Sequence, residues 1–388
     1  MCAYLSEKGW DVAQRDFNIE SYDHFLSPPL LEKAVSKMGD RLAALKSKKS
    51  FSIKEKSLMD VLSTGLKFAP TIVSGVEDAK KIVRTPERFF DFESYKQADM
   101  IIKSGLKLVS DAYSPSVLTL STFESGTRAE ESTRRAAEVT QNKDTNPFID
   151  LYAETLLPTE RWEDYDVAGI SIVGISQILP GLTLARMLKE KYPHLHVTLG
   201  GPIFSVNAKQ LLDHPEFFDE FCHSIVTFEG EEPLNRLFVA LKKGSPLAEV
   251  PNLLYCENGA VKMNKERVEL RFEELPSPTF DGLPLNLYLS PYPILPVLQS
   301  RGCYWGKCTF CTHSFVYGHR YGKQRTDQMV DELESLAKKY NTKYFTFSDE
   351  AVSPHSLNDV SDAIIDRGLE IRSLALLKFE KVMDEKLF

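Results

Sequence analysis

The chain has 388 residues, 43% hydrophobic and 26% charged, which are the proportions of a globular protein with room for two or three domains. Its net charge of −8 supplies no basic field for nucleic acid and fits a solvated acidic surface. No apolar run reaches the ~18 residues of a membrane span, "MCAYLSEKGW" lacks the basic and apolar regions of a secretory signal, and six cysteines in so long a chain make no disulfide framework. The expectation is a cytoplasmic protein in a reducing setting, with no membrane and no nucleic-acid partner.

The first elements read as α/β. "MCAYLSEKG" is helical, and "DVAQRDFN" (11–18) reads as a short strand. Residues from about 28 to 150 interrupt this pattern. "LLEKAVSKMGDRLAALKSKK" and "YKQADMIIKSGLKLVSDAY" are amphipathic helices, whereas polar "STFESGTRAEESTRRAAEVTQNKDTN" reads as a loop or a surface helix. The block is expected to be a helical insertion. Beyond it, "YDVAGISIV" (165–173), "LHVTLGG" (195–201) and "SIVTFEG" (224–230) look like strands buried on both faces. Between the first two, "GLTLARMLKEKYP" carries Leu184, Met187 and Leu188 at helical spacing and stops at Tyr192-Pro193, which makes a βαβ unit. "EEPLNRLFVALKKG" is a further helix closed by Gly244. The strands end in small or polar residues: Ser171 with Gln177 after it, Gly200-Gly201-Pro202, and Glu229-Gly230-Glu231. Such ends let a ligand approach the backbone where doubly wound sheets bind cofactors. No G-x-G-x-x-G and no Walker lysine loop is present, which disfavours dinucleotide and nucleotide triphosphate sites.

Residues 1–270 are therefore expected to form one α/β domain with its insertion. A Pro-rich linker follows at 271–293, carrying Pro276, Pro278, Pro284, Pro291 and Pro293, which oppose helix and central strand alike. From 294 to 388 the βα rhythm returns. "ILPVLQS" is a strand leading into a cysteine loop. "DQMVDELESLAKKY" is a helix with Thr326 as its expected N-cap. "KYFTFSDE" (343–350) is a strand ending in two carboxylates, "VSDAIIDRG" a helix closed by Gly368, and "EIRSLALLKFE" a third strand.

Cys303, Cys308 and Cys311 fall within nine residues, "CYWGKCTFC". Three converging thiolates imply metal. A Cys3His zinc site using His313 is one reading, although zinc ligands usually arrive as two separated pairs. A [2Fe–2S] centre fits C-x4-C-x2-C but needs a fourth cysteine downstream, and residues 312–388 hold none. The third reading is a [4Fe–4S] cluster on three thiolates, its fourth iron open to a small molecule. The loop's place after the first strand of a βα series, on the side where such barrels put their active sites, favours it.

"SRGCYWGKCTFC" resembles the cysteine loop of the radical S-adenosylmethionine (SAM) superfamily, with one residue more than its common C-x3-C-x2-C. Ser171 and Gln177, then Gly200-Gly201-Pro202, then Glu229-Gly230, resemble the cobalamin-binding domain that precedes the barrel in one branch of that superfamily. The resemblance implies a Rossmann-like cobalamin-binding domain with a helical insertion, followed by part of a (β/α) barrel. It implies that Cys303, Cys308 and Cys311 hold the cluster and that Phe310 packs over the purine of SAM. Ser348, Asp349 and Glu350 align with the motif that grips the SAM amino group, and Lys378 with a basic residue near its carboxylate. Ser171, Gln177, Gly200, Gly201, Glu229 and Gly230 are implied to face the corrinoid. The D-x-H-x-x-G motif that supplies a cobalt-ligating histidine elsewhere is absent. Tyr317, His319 and Tyr321 are candidates to line a substrate site. The implied activity is C-methylation of a peptide or other natural product through a 5′-deoxyadenosyl radical and methylcobalamin, served by a flavodoxin- or ferredoxin-type electron donor. A non-methylating reaction of the same branch, or a remnant without turnover, is the alternative. Relatives of this kind begin with a further strand and continue to about six barrel strands, so the chain is expected to be a piece of a longer product.

Overall fold

The structure is a computed structural model that describes residues 1–311, 320–381 and 383. It opens with a helix over Cys2–Glu7. Residues 11–18 do not form the expected strand. Asp16 instead caps a helix over Phe17–Phe25, accepting from the Asn18 and Ile19 amides, and a side chain that satisfies two orphan N–H groups favours helix over sheet at that point. The stretch before it is strapped to the linker, because Gln14 donates to the Thr279 and Asp281 carbonyls at 3.0 and 2.8 Å.

Three long helices form the expected helical block: Pro28–Lys46, Ile53–Arg84 and Phe92–Ala112. The middle one is the longest in the chain, and its start is written in the sequence as a capping box. The Ser52 hydroxyl accepts from Glu55 N while the Glu55 carboxylate accepts from Ser52 N. A hairpin of β1 (Val117–Leu118) and β2 (Phe123–Glu124) follows. The polar stretch after it is less superficial than its composition suggests, since Ala129, Ala136, Val139 and Asn146 are buried. Leu31, Met38, Leu62, Val76, Ile102 and Leu106 of the block share one contiguous core with Leu184, Leu188, Val197, Leu199 and Ile225 around the first sheet. The block is thus welded to that sheet.

The first sheet has five strands in the order β3 (Val167–Ser171), β4 (His196–Gly200), β5 (Ser224–Val226), β6 (Leu253–Glu257), β7 (Ala260–Met263). The first three are parallel and the last two antiparallel. The crossover helix Ile178–Lys191 and the helix Glu231–Lys243 stand where the apolar spacing placed them, and Gly244 closes the latter at φ +67°. His196, at the start of β4, lies 2.9 Å from Ser224 Oγ, its ring 5.1 Å from that of His223. Burial, then the neighbouring His223, pushes its pKa down from 6.5 to about 4. The unfolded chain takes up that proton below pH 6.5 while the fold refuses it until about 4. The stabilisation is therefore complete above the higher value and lost as pH falls, to the extent of about 3 kcal/mol by the lower one. Denaturant midpoints are expected to drop across this window, and His196→Gln to flatten the drop.

The linker is anchored on both sides. Arg84 donates to the carbonyls of Leu287 and Tyr288, and Phe280 is buried in a second core with Leu295, Leu333 and Phe345. That core belongs to a three-stranded parallel sheet in the order β12 (Arg372–Leu374), β11 (Tyr344–Phe347), β8 (Ile294–Val297). Its crossover helices are Thr326–Tyr340 and Pro354–Asp366. Thr326 is the first helical residue and Arg325 occupies the N-cap, a one-residue shift of the kind common at helix ends. Ser353, not foreseen, caps the second helix by accepting from Ser356 N. The third strand is shorter than expected and exposed throughout. Between β8 and β11, β9 (Ser300–Arg301) and β10 (Gly322–Lys323) pair antiparallel at the foot of the cysteine loop.

Candidate cofactor site at the carboxyl ends of the two sheets

The carboxyl ends of β4 and β5 from the first sheet and of β8 and β11 from the second meet around a cavity of about 230 Å³. Gly201, Glu229 and Gly230 line it from one side, Ser348 and Glu350 from the other. These five residues were singled out from separate stretches of sequence. Gly201 holds φ +116°, and a Cβ there would lie 2.1 Å from the Ile172 carbonyl oxygen, so only glycine fits. Gly200 lies within β4, its carbonyl accepting from Ile172 N at 2.9 Å.

Asp349 does not line the cavity. It is 2% exposed, and its carboxylate accepts from Gln299 N at 3.0 Å and from both the amide and the hydroxyl of Ser300 at 2.5 Å. Burial raises its pKa despite these bonds. Its work is to fix the chain where it leaves β8 for the cysteine loop. Lys378 is also occupied. Its ammonium sits 3.7 Å from the centre of the Trp305 ring and 3.0 Å from Glu380, which accepts from Tyr304 OH at 2.8 Å. These contacts clamp the cysteine loop to the segment that follows the third strand.

Cys303, Cys308 and Cys311 are free thiols, Cys308 exposed and the others half-buried, with Cys311 N donating to Cys308 O across a turn. Gly302, at φ +79°, leads into the loop against the Arg320 carbonyl. Among the described residues no three His, Cys, Asp or Glu side chains are gathered as a metal-holding group. The donor chemistry of three accessible thiols on one loop nevertheless suits an iron–sulfur cluster better than a hard cation. Phe310 is 89% exposed. Tyr321 is exposed and meets Tyr304 edge-on at 6.2 Å. His313, Tyr317 and His319 lie outside the described residues.

Ser171 and Gln177 line a different cavity, of about 570 Å³, along the free edge of β3, with Phe17, Tyr22, Phe148 and Tyr165 opposite. Gln177 closes the turn after β3 by accepting from the Val173 and Gly174 amides at 2.9 and 3.3 Å. The residues expected to face one corrinoid are therefore divided between two cavities.

Arg301 was overlooked. It lines the smaller cavity and pairs with Glu231 at 2.6 Å and Glu229 at 3.2 Å. Burial raises the Glu229 pKa, with Arg301 opposing, whereas in Glu231 burial is outweighed by Arg301, which holds that carboxyl below its usual value. Its signal was its position, one residue before the glycine that opens the cysteine loop.

No protein-family model matches the chain. An uncharacterized methyltransferase of Pyrococcus horikoshii is 29% identical over 212 residues, 54% of this chain and 45% of the relative. The hopanoid C-3 methylase of Methylococcus capsulatus is 26% identical over 212 residues, 53% of this chain and 38% of the relative. The chain thus spans less than half the length of these curated relatives. Among solved structures, the radical SAM methyltransferase TsrM of Kitasatospora setae, with cobalamin and a [4Fe–4S] cluster bound, superposes with a TM-score of 0.47 at 17% identity, over 60% of this chain and 48% of that one. No helix among the described residues is long and apolar enough to cross a membrane. In its cysteine loop and in these sequence relatives, matched over about half of its length, the chain is similar to methylating enzymes of the radical SAM kind.

Proposed function

We propose that this chain is the cofactor-binding portion of a cobalamin-dependent radical SAM enzyme, a C-methyltransferase acting on a peptide or other natural product. The observation that carries the reading is the meeting of Gly201, Glu229 and Gly230 with Ser348 and Glu350 in one cavity, beside the strand that runs into Cys303. The first sheet is read as the Rossmann-like cobalamin domain, and the second as part of a (β/α) barrel. When bound, the cluster and cobalamin supply one-electron cleavage of SAM and a carrier for its methyl group.

Cys303, Cys308 and Cys311 hold the cluster by three thiolates. Glu350, with Ser348 beside it, binds the SAM ammonium by charge-assisted hydrogen bonds, and Phe310 offers its bare face to the purine. Asp349 acts at one remove by holding Gln299 and Ser300, and Lys378 by holding Trp305. The glycines at 200, 201 and 230 keep the backbone open to the corrinoid, and Gln177 fixes the turn after Ser171. A flavodoxin- or ferredoxin-type protein is the electron donor in this reading.

The test is anaerobic reconstitution with iron and sulfide, followed by SAM and a reductant. The expected product is a brown protein with about four irons per chain that releases 5′-deoxyadenosine and S-adenosylhomocysteine when a competent substrate is present. Cys308→Ala is expected to lose both the cluster and SAM cleavage. Deoxyadenosine without S-adenosylhomocysteine would assign a non-methylating reaction. A colourless protein holding one zinc would end the reading.

A further inference from the structure

The two stems of the cysteine loop carry Arg301, at the end of β9, and Arg320, two residues before β10, and each of these arginines reaches across to the first unit. Arg301 pairs with Glu231 and Glu229 on the two sides of Gly230, and Arg320 pairs with Glu269. The acceptors are themselves tied together, because the Glu229 carboxylate accepts from Leu270 N at 3.2 Å, one residue beyond Glu269. The two stems are also locked to each other. Arg301 faces Gly322 across the β9–β10 pair, and Gly302 packs against the Arg320 carbonyl so closely that a Cβ would lie 2.0 Å from it. On its own side Arg301 is held through Ser300 by buried Asp349. On the other side Glu231 is the first residue of a 13-residue helix, whose amino end favours carboxylates and would repel an unpaired cation. The Arg301 pair is largely shielded, with side chains 20%, 14% and 9% exposed for Arg301, Glu229 and Glu231. Shielding makes the geometry stiff and the loss of either partner costly.

We infer that Arg301 and Arg320 form a bracket that fixes the cysteine loop against the first unit. Arg301 is the principal positioning residue, setting the separation between the cluster and the ligand held at Gly201 and Gly230. This rests on the proposed function for the identity of those two groups, though not for the bracket itself. Arg320, whose side chain is 73% exposed, contributes the weaker arm.

The test uses the full chain, reconstituted with iron and sulfide and loaded with cobalamin. Arg301→Met is expected to retain its iron and to exchange the amides of 229–232 and 270 about tenfold faster than the parent. It is also expected to lose the magnetic broadening that the reduced cluster imposes on cob(II)alamin. Arg301→Lys should restore that broadening in part. Glu231→Gln should weaken it less than Arg301→Met does, and the two combined should add little to the arginine change alone, since they remove one interaction. If Arg301→Met does not fold, Arg320→Met reads the same two signals through the exposed arm, with smaller shifts. Unaltered exchange, or unaltered broadening with both cofactors retained, overturns the inference. A parent protein that takes up neither iron nor cobalamin defeats the functional reading, and amide exchange alone then decides the bracket.

Discussion

Asp349→Ala is expected to cost about 4 kcal/mol of stability in the second unit and to abolish cluster assembly. The carboxylate is shielded and accepts three hydrogen bonds, two of them from consecutive backbone amides. Alanine leaves the Gln299 and Ser300 donors buried without partners, which is more expensive than the net value of the bonds themselves. The consequence spreads along the chain. Gln299 also accepts from Gln324 N at 2.7 Å through its carbonyl, and Ser300 pairs with Lys323. Both stems of the cysteine loop thus depend on one carboxylate. Asp349→Asn keeps the shape and one acceptor oxygen, and should fall between parent and alanine. Denaturant unfolding and iron content measure the two effects. Retention of full iron by Asp349→Ala would show that the loop is organised without it.

The same residue marks how far the sequence could be read. Period and composition were enough to find β3, β4, β5, β8 and β11 and the helices between them. β4 and β5 are buried on both faces as their apolar runs imply, whereas β3, expected to be buried likewise, leaves Gly169 and Ser171 exposed, and β8 and β11 bury alternate residues. They misled at 11–18, where the Asp16 cap decided for helix, and the capping box at Ser52 was there to be read but was passed over. The site was legible as a set of strand ends, since glycines and carboxylates at such places stand out. What each side chain does there was not legible. Ser348-Asp349-Glu350 reads as three equal candidates, yet the direction of each side chain sends Asp349 into the protein and leaves Ser348 and Glu350 at the cavity. Lys378 likewise needed the Trp305 ring in view before its role as a clamp could be seen. Arg301 escaped because its place before Gly302 was its one local signal, and the partner that gives it a role lies 70 residues away in sequence.

Gly201→Ala is expected to cost about 4 kcal/mol or more, whereas Gly200→Ala, one residue away, should cost less than about 1 kcal/mol. At 201 the backbone holds φ +116°, and an added Cβ would meet the Ile172 carbonyl oxygen at 2.1 Å and its carbon at 2.8 Å. Both are main-chain atoms, so no rotamer change relieves the clash. Relief requires β3 and β4 to part at their carboxyl ends, where Ile172 N donates to Gly200 O. At 200 the added methyl finds the Val226 carbonyl oxygen at 3.6 Å, an ordinary contact, and the strand conformation suits alanine. The pair therefore separates two reasons for a double glycine. If Gly200→Ala folds as the parent does but no longer takes up cobalamin, the space above β4 is needed for a ligand. If it folds and binds, the Gly-Gly pair serves the approach of the two strands through Gly201 alone. Equal stability of Gly201→Ala and the parent in denaturant would show that the β4 turn adopts another path, and would remove Gly201 from the cavity wall.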